Sequence, residues 1–115
     1  MALKKDTKVY LILSIIIILI IIAIFWLKGN GEINEKEAIC VGENSVLYVK
    51  LGCPACEKQK EMFGEFYQYL TIIDCSNNLQ ECMDAEIIGT PTWIINEKLH
   101  PRVQSIEKLK QLTGC

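Results

Sequence analysis

Cys53 and Cys56, three residues apart in the run Gly52-Cys53-Pro54-Ala55-Cys56, are the side chains of this sequence best placed to do chemistry. The preceding residues, Ser45–Leu51 (SVLYVKL), are β-branched and apolar and read as a strand. From Cys56 to Leu70 the spacing turns helical, with Met62, Phe63, Phe66, Tyr67 and Leu70 on one face. A C-x-x-C pair at a strand-to-helix junction is the arrangement of a redox disulfide. The free N–H groups and the positive dipole end of the helix favour an anion and lower the pKa of the first cysteine. Cys53 is then the exposed sulfur that attacks, or is attacked, as thiolate; Cys56, one turn inward, closes the disulfide or resolves a mixed one. Pro54 at the first helical position forfeits no hydrogen bond and fixes the turn. The plainer alternatives are a structural disulfide or half of a zinc site. The sulfurs carry the electron pair themselves, so no cofactor is expected.

Thr90-Pro91 is the second element of this chemistry. A proline in a tight loop before a strand is a candidate for a cis peptide bond. Set beside the cysteine pair, such a loop leaves the backbone of Thr90 free to bind an extended substrate chain; the simpler alternative is a proline that only starts a strand. A zinc site would draw on Cys53, Cys56, Cys75 and Cys82, or His100. Six residues separate Cys75 from Cys82, and His100 sits in a hairpin before Pro101, so no metal is expected. His100 reads as a surface residue, Trp93 as strand core, and Glu57 and Lys58 as a solvated helix face.

These residues need a scaffold. Thr71–Cys75 (TIIDC) is a second short strand, and Asn78 with Glu81 has capping-box spacing before a helix marked by Leu79, Cys82, Met83 and Ile87. Gly89-Thr90-Pro91 breaks the chain, and Thr92–Ile95 is a third strand. Asn96-Glu97-Lys98 turns into Leu99–Val103, where Pro101 fits only an edge. Ser105 caps a last helix with Ile106, Leu109 and Leu112 inward and Gly114 beyond its end. Gly64, inside the first helix, implies a close packing contact. The order β-α-β-α-β-β-α predicts an α/β domain: a mixed sheet of about four strands, one pair parallel, with helices on both faces.

Ahead of it lies a different solvent's sequence. Val9–Leu27 (VYLILSIIIILIIIAIFWL) has nine isoleucines and no charge among its nineteen residues. As a helix it would be about 28 Å long, close to the hydrocarbon thickness. Tyr10, Phe25 and Trp26 sit where interfacial anchors belong. A cleavable signal peptide would be shorter and end in small residues, so residues 9–27 read as an uncleaved transmembrane anchor in contact with lipid. Lys4, Lys5 and Lys8 precede it, placing residues 1–8 in the cytoplasm and the remainder outside the cytoplasmic membrane. Residues 28–39 (KGNGEINEKEAI) read as a tether reaching up to about 40 Å, or as a short helix from Asn34. The domain, 40–115, carries seven Lys/Arg and ten Asp/Glu, a balance that excludes a nucleic-acid binder.

CPAC after a strand, a Thr-Pro loop about 35 residues later and the hairpin-helix ending resemble the thioredoxin superfamily, and so imply a minimal thioredoxin fold. More narrowly, GCPACEKQKEMFG, TIIDCS with Cys82 following, GTPTWIINEKL and VQSIEKLKQLTG resemble the thioredoxin-like domain fused to, or partnering, bacterial and archaeal homologues of vitamin K epoxide reductase. That resemblance covers roughly residues 45–115. It implies a protein oxidised by a quinone-reducing membrane enzyme that passes its disulfide to exported proteins. The reductase's helical bundle is missing from these 115 residues, so quinone chemistry falls to a vitamin K epoxide reductase-like partner. Unlike ordinary thioredoxins, Ser45–Leu51 holds no carboxylate, leaving the proton acceptor for Cys56 unassigned.

The related domain also carries a cysteine pair where Cys75 and Cys82 stand; a structural clip is expected here, with a second redox pair as the alternative. Cys40 and Cys115 bracket the domain. Their pairing would close a 75-residue loop, about 4–5 kcal/mol on the chain-entropy model, and free thiols or an intermolecular bond are the alternatives. The expected protein is therefore a membrane-anchored, outward-facing thiol–disulfide oxidoreductase with Cys53 and Cys56 as its reactive pair. Its rivals are an outward-facing thiol reductase of the cytochrome-maturation kind and a binding module whose cysteines are purely structural.

Overall fold

The computed structural model describes residues 2–27 and 32–115. The chain divides into two compact units, Met1–Asn30 and Gly31–Cys115. In the first, α1 (Ala2–Leu27) is a single helix, of which Lys4–Leu27 is long and apolar enough to cross a membrane. Isoleucine is a mediocre helix former in water. In a bilayer, where an unpaired backbone group has no water to turn to, helix is the conformation that satisfies every N–H and C=O internally.

The second unit is α/β. Its elements are α2 (Glu35–Glu43), β1 (Ser45–Val49), α3 (Pro54–Phe63), a 3-10 helix (Gly64–Tyr69), β2 (Ile72–Asp74), α4 (Leu79–Asp84), β3 (Thr92–Ile95), β4 (Lys98–Pro101) and α5 (Ile106–Thr113). The four strands form one mixed sheet in the order β2-β1-β3-β4. β1 runs parallel to β2, with Tyr48 opposite Ile73, and antiparallel to β3, with Leu47 opposite Trp93. β3 and β4 form a hairpin whose turn residues Asn96 and Glu97 both have positive φ (51° and 63°), the twist a two-residue hairpin needs. β4 is an edge strand, where the missing N–H of Pro101 costs no ladder bond.

Strand alternation sends side chains to two faces. Leu47, Trp93 and Ile95 join Ala38, Val41, Phe63, Ile106 and Leu109 in the main core, under α2, α3 and α5. Tyr48 faces the other way, into a smaller cluster with Cys75 and Cys82, flanked by Val46, Ile73, Ile87 and Ile94.

Several local expectations need correction. Residues 56–70 are not one helix: α3 stops at Phe63, and Gly64 caps it at φ 55°, ψ −130°, a conformation that excludes a side chain. A Cβ on Gly64 would meet nothing within 4 Å, so backbone conformation and not close packing requires that glycine. Asn78 does precede α4, but its side chain makes no capping bond and donates instead to the Asp74 carbonyl at 3.0 Å. The capping box lies at Asn34: its Oδ1 accepts from Glu37 N at 2.8 Å, while Asn34 N donates to Glu37 Oε2 at 3.2 Å. Of the two readings of residues 28–39, the short helix from Asn34 is therefore the one the structure takes: α2 starts at Glu35, and Ile33 and Ala38 are buried in the main core. Its first four residues, with Lys28, lie outside the described residues. Of the apolar positions that marked this helix, Cys82 is buried, Leu79 and Met83 are exposed, and Ile87 lies beyond its end at Asp84.

Candidate active site

Strand β1 runs out at Val49. Leu51 N donates to Ser76 Oγ at 3.0 Å, and Gly52, at φ 71°, reverses the chain into α3. Cys53 is the N-cap of that helix: its Sγ accepts from Cys56 N at 3.1 Å, and Pro54 occupies the first turn. A sulfur in that position receives one of the helix's orphan N–H groups, the contact that stabilises a thiolate when the bond to Cys56 opens. The two cysteines form a disulfide with Cα atoms 5.2 Å apart. Cys53 is half-buried and reachable, whereas Cys56 is 5% exposed. Of the two sulfurs, Cys53 is the one open to solvent.

The loop Gly89-Thr90-Pro91 comes up against this sulfur. Thr90 Oγ1 donates to Cys53 Sγ at 3.5 Å, and the Thr90 carbonyl oxygen is also 3.5 Å from it. The Thr90–Pro91 bond is cis, Pro91 is fully buried, and its carbonyl accepts from Arg102 N at 2.8 Å. Cys53, Cys56, Pro54, Thr90 and Pro91 are thereby brought together.

The other four cysteines pair elsewhere. Cys75 and Cys82, Cα atoms 5.7 Å apart, form a buried disulfide in the smaller cluster. Cys40 and Cys115, 6.0 Å apart and 75 residues distant in sequence, join α2 to the end of α5. His100 lies on the edge strand, and Trp93 is fully buried in the core. Among the described residues no group of three or more metal-ligating side chains converges, and no carboxylate is buried. Burial, reinforced by Glu57 and Asp74, holds the Tyr67 hydroxyl above its ordinary range, and burial with Glu81 does the same for Tyr48. Both phenols stay neutral.

One side chain beneath the site escaped the sequence reading. Gln59, one turn past Cys56 and wholly buried, accepts from Trp93 Nε1 (3.0 Å) and Gln104 N (2.8 Å) and donates to the Gln104 carbonyl (3.1 Å). Its signal was a polar residue at a core-facing helical position, between Cys56 and Phe63.

The site is thus a disulfide with one part-exposed sulfur, set at a helix N-terminus on a mixed four-stranded sheet. No protein-family model matches the chain. The curated thiol-disulfide oxidoreductase LTO1 of Arabidopsis thaliana is similar, 36% identical over 77 aligned residues that cover 59% of this chain and 20% of that protein. The chain thus spans about a fifth of that relative's length. The likeness and the mixed sheet together point to a thioredoxin-like fold.

Proposed function

We propose that this chain is a membrane-anchored thiol–disulfide oxidoreductase that works outside the cytoplasmic membrane, giving its Cys53–Cys56 disulfide to exported proteins. The observation that carries the reading is the placement of Cys53: half-exposed, accepting a helix N–H, with Thr90 at 3.5 Å. The similarity to an oxidoreductase and a helix able to span a membrane support it. A substrate thiolate attacks Cys53, forming a mixed disulfide and leaving the electron pair on Cys56. A second substrate thiol then attacks the substrate sulfur, so Cys53 departs as thiolate and the substrate keeps the new disulfide. The reduced pair is reoxidised by a vitamin K epoxide reductase-like membrane protein, which takes the two electrons.

The test is substitution of each sulfur in the full chain. Cys53→Ser abolishes oxidation of a reduced protein substrate, while Cys56→Ser leaves a sulfur that captures disulfide-bearing substrates as long-lived mixed disulfides. Neither variant has a disulfide to donate, so the two differ in trapping: mixed disulfides captured equally by both variants, or by Cys53→Ser alone, defeat the assignment. A reduction potential well above about −270 mV, that of thioredoxin, fits the donor direction; one at or below it would make the chain a reductant.

A further inference from the structure

The two halves of the exchange site ride on separate pieces of chain, the cysteine pair on α3 and Thr90 on the loop into β3. Cys53 and Thr90 are 37 residues apart, so the 3.5 Å between Thr90 Oγ1 and Cys53 Sγ is set by tertiary structure. Gln59 joins the two pieces. Its Oε1 accepts from the Nε1 of Trp93, two residues beyond Pro91 on β3, at 3.0 Å. The same oxygen accepts from Gln104 N at 2.8 Å, while Nε2 donates to the Gln104 carbonyl at 3.1 Å. Gln104 lies two residues past Arg102, whose N–H, turned by a φ of 72°, donates to the Pro91 carbonyl at 2.8 Å. Bonds therefore run from the cysteine helix through Gln59 to both flanks of the Thr90–Pro91 loop. An apolar side chain would fill this fully buried space without desolvating an amide. The amide brings fixed distances and directions instead, the property of a satisfied buried network.

Building on the thiol–disulfide reading, we propose that Gln59 is a positioning residue for the exchange reaction: through β3 and the Arg102–Gln104 segment it holds the Thr90 hydroxyl within reach of the Cys53 sulfur. When Cys53 leaves as thiolate its sulfur gains a full charge, and the Thr90 O–H joins Cys56 N as a donor to it. Two donors lower the Cys53 pKa and make it the better leaving group. The bonds of Gln59 itself go to Trp93, Gln104 and Met62, so it acts on the sulfur through Thr90.

The test titrates Cys53 in the full chain in detergent micelles, with Cys56→Ser in every sample so that Cys53 is the thiol that reacts. Its pKa is read from the pH dependence of its alkylation rate. Gln59→Met raises that pKa by about one pH unit, tenfold less thiolate below it, which matches the loss of one hydrogen bond to a charged sulfur. Thr90→Val raises it by as much, and the two changes together do no more than Thr90→Val alone. Gly42→Ala, which weakens the fold at α2, leaves the pKa where it was. If Gln59→Met is too weak to fold, Trp93→Phe decides in its place: it removes one of the three bonds, keeps a ring in the core and raises the pKa in the same direction. An unmoved pKa in the deciding variant, additive effects of Gln59→Met and Thr90→Val, or an equal rise in Gly42→Ala each overturns the role and leaves Gln59 a brace of the core. Capture of a disulfide-bearing substrate by the Cys56→Ser parent, run alongside, separates the two readings. Capture with an unmoved pKa refutes the positioning role alone; no capture refutes the redox reading and this role with it.

Discussion

Replacing Gln59 by methionine keeps the length and much of the volume of a fully buried side chain but removes every hydrogen bond it makes. Besides the weak bond to Met62 Sδ at 3.6 Å, three groups lose their partner: the indole N–H of Trp93, the N–H of Gln104 and the carbonyl of Gln104. Trp93 is 0% exposed, so its N–H meets no water and bears the whole desolvation penalty, about 1–3 kcal/mol. Gln104 is only half-buried, and its two backbone groups can turn to solvent at about 1 kcal/mol each. The sum is about 3–5 kcal/mol, a large part of the 5–15 kcal/mol that typically holds a domain together. Pulse proteolysis of the full chain across a urea series measures it. A Gln59→Met variant within about 1 kcal/mol of the parent refutes the reasoning, because the three bonds would then be worth nothing net. Pairing the change with Trp93→Phe supplies a second check: with the indole N–H gone, the two losses are less than additive by about 1 kcal/mol or more.

Gln59→Glu separates charge from connectivity at the same site. The carboxyl can still accept from Trp93 Nε1 and Gln104 N but is buried without a cation, so its pKa rises in the folded state. A raised folded pKa gives stability that is whole below the ordinary carboxylate pKa of about 4.3 and is lost as pH climbs through the raised value. The variant is therefore nearest the parent in acid and weakest at neutral pH, and the reverse trend would contradict this.

Three other perturbations probe the frame around the site. Gly42→Ala should gain about 1 kcal/mol of helix propensity, yet its Cβ would collide with the Tyr69 carbonyl oxygen and lie 3.2 Å from Leu70 Cα. Neither backbone atom can swing aside, so net destabilisation of about 1–3 kcal/mol is expected by the same proteolysis assay. Removing the Cys40–Cys115 bond with paired alanines should cost about 4.5 kcal/mol and removing Cys75–Cys82 about 2.4, following the loop lengths of 75 and 7 residues; a reversed order in urea midpoints counts against the chain-entropy account. Glu37 bonds Lys110 Nζ at 2.8 Å and Asn34 N, which holds its carboxyl below the usual range. Stability from this pair is full above the ordinary carboxylate pKa and fades as pH falls through the depressed value, so Glu37→Gln should flatten the acid limb of the stability curve.

The strands, the last helix and the cysteine junction were legible because each rests on a local signal. Runs of β-branched and apolar residues marked β1 and β3, Ser105 and Gly114 marked both ends of α5, and C-x-x-C with Pro54 announced a helix start. What was not legible depends on distant partners. The run before Cys40, with five charges among its twelve residues, left tether and short helix both open. Two of those charges find partners far along the chain, Glu35 at Tyr69 and Glu37 at Lys110, while Ile33 and Ala38 enter the core. Gln59 could not be read for the same reason: its partners lie 34 and 45 residues away.

Helix α4 shows how a covalent bond can overrule a hydrophobic pattern. Leu79, Cys82 and Met83 all fit one apolar stripe, and periodicity alone would turn the stripe inward. Six residues make fewer than two turns, too few to bury more than one side chain firmly. The bond to Cys75, at the end of β2, decides which one, and it draws Cys82 into the cluster around Tyr48. Leu79 and Met83, four residues apart, are then held together on the outer side, beside Ile88 and the loop that carries Thr90. Removing this second bond by substitution should free α4 while leaving Cys53 and Cys56 in place. A Cys75→Ala/Cys82→Ala chain should consequently still form its Cys53–Cys56 bond but be cut faster by protease within Leu79–Asp84. Unchanged cleavage of that segment would show that packing alone orients α4.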